Sequence, residues 1–113
     1  MQRGEVWSVS LPFSPGREQS GDRPAIVLQH ALYGEGSPLV LTVPITSQVA
    51  ALRFPAAVEI APSSTNGLRQ PSVAMVFQTR ALDRHRFLRR IGVIDVADLS
   101  VILTELNRLT GQE

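Results

Sequence analysis

The stretch Gly21-Asp22-Arg23-Pro24-Ala25-Ile26-Val27-Leu28-Gln29 decides how this chain is read. A polar loop ends within it and an apolar strand begins. Pro24 fixes its own φ and pushes Arg23 into extended backbone. The guanidinium is therefore launched from a stiff strand end, and a positioned cation at a strand end suits anion or phosphate chemistry. On residue type alone, a surface arginine before an edge strand is the favoured explanation. The remainder of the chain gives Arg23 its meaning.

At 113 residues with 43% apolar side chains, the chain is expected to form one domain, residues 1–113, around one core. No apolar run approaches the ~18–20 residues that span a bilayer. The N-terminus Met1-Gln2-Arg3-Gly4-Glu5 lacks the apolar region of a signal peptide, so a cytoplasmic location is expected. With no cysteine there is no disulfide, thiolate zinc site or cysteine nucleophile. The net charge of +1 gives no global field that would draw nucleic acid. All eleven basic side chains are arginine, which supplies bidentate phosphate binders and no amine for a Schiff base.

Outward from the opening stretch, several short strands are expected. Gly4 to Leu11 reads as a strand of imperfect alternation, with Trp7 as core or interface filling rather than a base-stacking platform. Pro12 to Asp22 is a polar loop carrying Arg17, Glu18 and Gln19. Pro24 to Gln29 has the near-continuous apolar run of a buried strand. Leu39 to Ile45 is another strand, in which Pro44 predicts an edge or a bulge. Thr46-Ser47-Gln48 follows at once, either a polar site at a strand exit or a cap for Val49-Ala50-Ala51-Leu52. Ala57 to Ile60 is short, and Ala61 to Gly67 is a polar turn. Val73 to Asp83 reads as the longest strand, with Gln78 and Arg80 projecting together at its polar end. Ile91 to Ile94 is a further short strand.

Asp95 to Thr110 is the one clear helix. Asp95 is its expected cap, Gly111 its stop, and Val96, Leu99, Ile102, Leu103, Leu106 and Leu109 its apolar stripe. These elements predict an α+β fold: a small, strongly bent antiparallel sheet with a C-terminal helix.

The two histidines, His30 and His85, stand far apart in sequence and in no ligand motif. No phosphate-binding glycine loop and no nucleophile elbow is present. What remains is Arg23, Thr46, Ser47, Gln48, Gln78 and Arg80, with Glu18 nearby in the loop. That set suits a phosphodiester. In RNA the 2′-hydroxyl supplies the nucleophile, so the protein needs only to move protons and stabilise the phosphorane. Paired arginine N–H donors do the second task well. Arginine does the first poorly, because its ordinary pKa exceeds about 12.

The motifs, in this order and spacing, resemble the MazF/PemK (Kid) family of toxins from type II toxin–antitoxin systems. They are Arg3-Gly4-Glu5-Val6-Trp7, Glu18 to Leu28, Val43-Pro44-Ile45-Thr46-Ser47-Gln48, Gly67-Leu68, Ser72-Val73-Ala74, Gln78-Thr79-Arg80, Ile91-Gly92 and the leucine-rich helix. The resemblance implies an SH3-like barrel of the CcdB/PemK type, a homodimer, and a metal-independent, sequence-specific endoribonuclease without cofactor. The products it implies are a 2′,3′-cyclic phosphate and a 5′-hydroxyl, cut from single-stranded RNA to stop translation. It also implies a MazE-like antitoxin whose disordered tail covers the RNA groove. Arg23 matches the catalytic arginine and Thr46 the catalytic threonine. Glu18 matches an acidic loop position, and Gln19, Ser47, Gln48, Gln78 and Arg80 fall at or beside positions expected to meet RNA. Two alternatives keep the fold: a CcdB-like gyrase poison and a noncatalytic binding module. A gyrase binder has no need of the pair Arg23 and Thr46. Excess EDTA is expected to leave cleavage of a long single-stranded RNA intact, and strong inhibition would overturn the metal-independent assignment.

Overall fold

Seven strands and one α-helix form the computed structural model, which describes residues 1–12, 21–33 and 36–112. The strands are β1 Glu5–Leu11, β2 Gly21–Val27, β3 Leu39–Thr46, β4 Ala57–Ile60, β5 Ser72–Met75, β6 Arg80–Asp83 and β7 Phe87–Val93. The helix α1 spans Val96–Leu109. The sheet runs β4-β5-β3-β2-β1-β7, with β6 also paired to β3, and every pairing is antiparallel. The expected bent antiparallel sheet with a C-terminal helix is what the chain builds.

Strand β3 carries the bend. One edge pairs with β2 through Ala25↔Pro44, Ile26↔Val43 and Val27↔Thr42. Its first half also pairs with β6, from Leu39↔Asp83 to Thr42↔Arg80, and its last residues pair with β5 at Ile45↔Ala74 and Thr46↔Val73. The edge half of the expectation for Pro44 fails, because β3 is central. Pro44 stands instead at the gap where the ladder passes from β6 to β5, a place where a missing N–H is tolerated.

That gap also corrects the expected strand over residues 73–83. The chain breaks it into β5, a 3₁₀ turn at Val76–Gln78, and β6. The Thr79 N–H and hydroxyl both donate to the Val76 carbonyl, at 3.0 and 2.6 Å. Val76 and Phe77 favour strands by residue type, but the step between ladders overrides propensity. Strand alternation therefore does not set Gln78 and Arg80 on one face.

Each end of the sheet contributes to a separate apolar cluster. Val6, Ile26, Val43, Ile45, Ile60, Ala74 and Val76 meet Ile102 of α1, with Leu99, Leu103 and Leu106 packed against them. Val9, Leu11, Ala25 and Leu82 form a second cluster with Trp7 and Phe87, whose rings meet edge-on at 5.9 Å. Val6 and Val9 lie three residues apart on β1, so their side chains take opposite faces and enter different clusters. This accounts for the imperfect alternation. Trp7 packs, as expected, and donates from Nε1 to the Glu5 carboxylate at 2.9 Å. Strand β2 begins three residues earlier than expected, and β7 four residues earlier. In both cases the partner β1 is long enough to pair with the extension.

The apolar stripe of α1 is narrower than the sequence suggests. Val96 is 84% exposed and Leu109 47%, outside the cluster that Leu99, Ile102, Leu103 and Leu106 join. Asp95 holds the N-cap position but makes no side-chain cap bond. Its Oδ1 accepts instead from the Thr65 hydroxyl at 2.6 Å and the Ser63 hydroxyl at 3.2 Å. The C-terminus closes as expected, with Gly111 N–H donating to Arg108 O and Gln112 N–H to Asn107 O.

The segment 63–68 locks the helix start and β7 together. Asn66 is fully buried. Its Oδ1 accepts from the Ser63 and Leu68 amides, and its Nδ2 donates to Ala61 O. Gly67 has φ +74°, and a Cβ there would lie 2.1 Å from Ile91 O; a Cβ on Gly92 would lie 2.5 Å from the Asn66 carbonyl carbon. Backbone thus touches backbone, which only glycine allows. The Val93 amide completes the seam by donating to Thr65 O at 2.8 Å. Asn66→Ala strands two amides and a carbonyl in a buried place and should cost about 3 kcal/mol, read as a lower urea midpoint at unchanged m-value. An unshifted midpoint would show that water replaces the amide.

Candidate functional site

The register between β2 and β3 builds the site. Carried two residues beyond Ala25↔Pro44, it sets Arg23 across from Thr46 at the ends of neighbouring strands. Cross-strand partners share a face. Both residues line a cleft of about 910 Å³. Pro24 anchors the first side, since it lies within β2 opposite Ser8. Arg23 is exposed, and its Nη1 donates to the Asp22 carbonyl at 3.1 Å. Thr46 is 4% exposed. Its hydroxyl accepts from the Gln48 amide at 3.1 Å, which shapes the exit into the 3₁₀ turn Val49–Arg53. Gln48 occupies the N-cap of that turn without a side-chain cap bond. Thr46 therefore orders the turn, while Ser47 and Gln48 present exposed side chains to the cleft.

Gln78 also lines the cleft, delivered there by the 3₁₀ turn rather than by a strand. Arg80 is not among the lining residues; it sits opposite Thr42, whose hydroxyl donates to its carbonyl at 3.0 Å. Glu18 and Gln19 lie outside the described residues. His30 and His85 remain local: His30 Nδ1 accepts from the Leu32 amide, and His85 Nδ1 lies 2.7 Å from Asp83 Oδ1. The hydrogen bond from the His85 amide, ahead of the side-chain contact, holds the Asp83 carboxyl below its usual range.

Four cleft arginines, Arg53, Arg69, Arg89 and Arg90, escaped the sequence reading. Among the described residues, they make with Arg23 five lining cations against one lining acid, Asp22. A cleft of one sign concentrates anions despite the small net charge. The dipeptide Arg89-Arg90 was visible, but strand alternation would have sent its two side chains to opposite faces. Both nonetheless line the cleft, in a stretch of β7 whose register against β1 shifts on either side of the pair, at Ile91 and at Leu88. Two of these cations are committed. The Arg53 guanidinium lies 4.8 Å from the Phe54 ring centroid. Arg90 Nε lies 3.9 Å from Glu5 Oε2. Burial acts to raise the Glu5 pKa, but the Trp7 and backbone hydrogen bonds, the N-terminal charge and Arg90 together hold it below the ordinary value. Among the described residues, no group of three or more His, Asp or Glu is placed to hold a metal ion.

Sequence comparison agrees with this architecture. The family described as PemK-like, MazF-like toxin of type II toxin-antitoxin system matches residues 2–110. The chain belongs to that family. It is similar to Endoribonuclease MazF9 of Mycobacterium tuberculosis, 32% identical over 88% of this chain and 87% of that protein. It is also similar to Endoribonuclease EndoA of Bacillus subtilis, 32% identical over 84% of this chain and 81% of the relative. The crystal structure of MazF (Form-I) from Deinococcus radiodurans superposes with a TM-score of 0.81 at 28% identity, covering 98% of this chain and 96% of that one.

Thr46→Val removes a buried acceptor and leaves the Gln48 amide unpaired, which should cost about 1–2 kcal/mol, whereas Thr46→Ser keeps the bond. Urea midpoints of the two variants check this, and equal midpoints would remove Thr46 from the turn.

Proposed function

We propose that this chain is the toxin of a toxin–antitoxin pair and an endoribonuclease that cuts single-stranded RNA in the arginine-lined cleft. The observation that carries the proposal is that Arg23 and Thr46, near the adjoining ends of the paired strands β2 and β3, both line one arginine-rich cleft, in a chain whose curated relatives are named endoribonucleases. Those names also disfavour the gyrase-poison alternative.

In the proposed reaction the RNA 2′-oxygen attacks the adjacent phosphorus. The P–O5′ bond breaks, leaving a 2′,3′-cyclic phosphate and a 5′-hydroxyl. Arg23 donates N–H groups to the phosphoryl oxygens as negative charge gathers on them. Thr46 holds the phosphate from the neighbouring strand end. The 2′-oxygen gives its proton to a base, for which Glu18 of the β1–β2 connection is the proposed acceptor. The departing 5′-oxygen is neutralised beside Arg23 and takes a proton from it or from water. No metal enters these steps. Ser47, Gln48 and Gln78 offer exposed or partly exposed hydrogen-bonding groups for bases and sugars along the cleft.

The proposed partners are RNA and an antitoxin. A MazE-MazF structure from Deinococcus radiodurans (Form-II) superposes on the whole chain with a TM-score of 0.77 at 27% identity, which supports an antitoxin partner here. That antitoxin is proposed to carry a disordered tail that covers the same cleft, where the lining cations suit an acidic segment. A homodimer in the cytoplasm completes the proposal. No described helix is long and apolar enough to cross a membrane.

Incubation of a long single-stranded RNA with wild type and Arg23→Ala, followed by end mapping, tests this function. Cuts at a recurring short motif with 5′-hydroxyl ends, reduced at least about 10²-fold in the variant, are expected. Thr46→Ala should lower turnover more than RNA affinity. Retained cutting by folded Arg23→Ala would remove Arg23 from the mechanism.

A further inference from the structure

We propose that Arg69 and Arg89 form a phosphate clamp on the β7 side of the cleft, gripping the RNA backbone at a phosphate other than the scissile one. The inference rests on the RNA-cleaving proposal above and specifies how that site holds its substrate.

Placement is the first argument. The segment leaving Asn66 runs alongside β7: Thr65 O receives the Val93 amide, and Gly67 abuts Ile91. Two residues further on each chain stand Arg69 and Arg89, and both line the cleft. The seam that sets their spacing is glycine-tight and fixed by buried Asn66. The two guanidinium groups therefore issue from braced backbone.

Commitment is the second argument. Arg53 stacks on Phe54 and Arg90 faces Glu5. Neither Arg69 nor Arg89 has a side-chain hydrogen bond or an ion pair among the described residues. Asp22, the one acid among the described lining residues, lies beside Arg23 on β2. Two uncommitted, exposed cations lining one cleft repel unless an anion joins them. A phosphodiester, with one charge per nucleotide, fits that requirement and continues the strand from Arg23 across the cleft. Such a clamp touches no reacting atom. It positions substrate and should act on KM rather than kcat.

The test uses an uncleavable 2′-O-methyl RNA of the mapped cleavage sequence for binding, and the corresponding all-ribose RNA for kinetics. For Arg69→Ala/Arg89→Ala, the slope of log K against log salt should be shallower by about 0.7, the share of the one phosphate that the two arginines hold together. KM at low salt should rise roughly tenfold, with kcat within about twofold. Arg69→Lys/Arg89→Lys should restore the slope because it restores the charge. Each single alanine variant should show about half the slope change. Thermal melting of all variants should stay near wild type, since both side chains are exposed. An unchanged slope and KM in folded double-alanine protein would overturn the clamp while leaving RNA cleavage standing. Loss of affinity for an acidic peptide with RNA binding intact would assign this wall to a protein partner and equally overturn it. A wild-type protein that neither binds nor cuts RNA would overturn both proposals.

Discussion

Backbone meeting backbone at Asn66-Gly67 and Ile91-Gly92 is the constraint from which much of this molecule follows. The amide of Asn66 satisfies three polar groups inside a seam that admits no Cβ. That seam holds β7 and, through Asp95, the start of α1. Because the helix then lies over Ile26, Ile45 and Ile60, the same seam fixes how the main cluster is covered. It also sets the wall of the cleft that carries Arg69 and Arg89. A buried amide is costly when unpaired and specific when paired, so the seam has one arrangement rather than several.

A second constraint acts at the other side of the cleft. Strand β3 gives its first half to β6 and its last residues to β5, so the sheet must fold over at Pro44. The bend brings the 3₁₀ turn at Val76–Gln78 and the exit at Thr46 to the same hollow. A flat sheet would have left Thr46, Gln78 and Arg23 in a row rather than around a space. Backbone hydrogen bonds of the turns replace ladder bonds at that corner, as the pair from Thr79 to Val76 O shows.

Charge in this chain is arranged rather than abundant. Arginines Arg53 and Arg90 face protein groups, while Arg23, Arg69 and Arg89 face the cleft with side chains exposed. Arginine everywhere, with no lysine, suits such a division of labour. Its planar guanidinium can stack on Phe54 in one place and present paired donors to phosphate in another.

Much of this was legible in the residues themselves. Pro24 and the apolar run after it marked β2, the apolar spacing marked α1, and Gly111 marked its end, because each acts within a few residues of chain. The family resemblance rested on such local motifs and reached Arg23 and Thr46. Tertiary structure alone decided the rest. Asp95 turned from the helix cap to Ser63 and Thr65, since those hydroxyls arrive from 30 or more residues away in sequence. Val96 and Leu109, at the two ends of the stripe, stayed outside the cluster that Leu99, Ile102, Leu103 and Leu106 join. Residues 73–83 broke into strand, turn and strand because β3 changes partners there. The four further cleft arginines come from three separate places, the 3₁₀ turn after β3, the segment after Gly67 and β7, which only the folded sheet brings around one space. Periodicity within one segment carries no information about that arrangement.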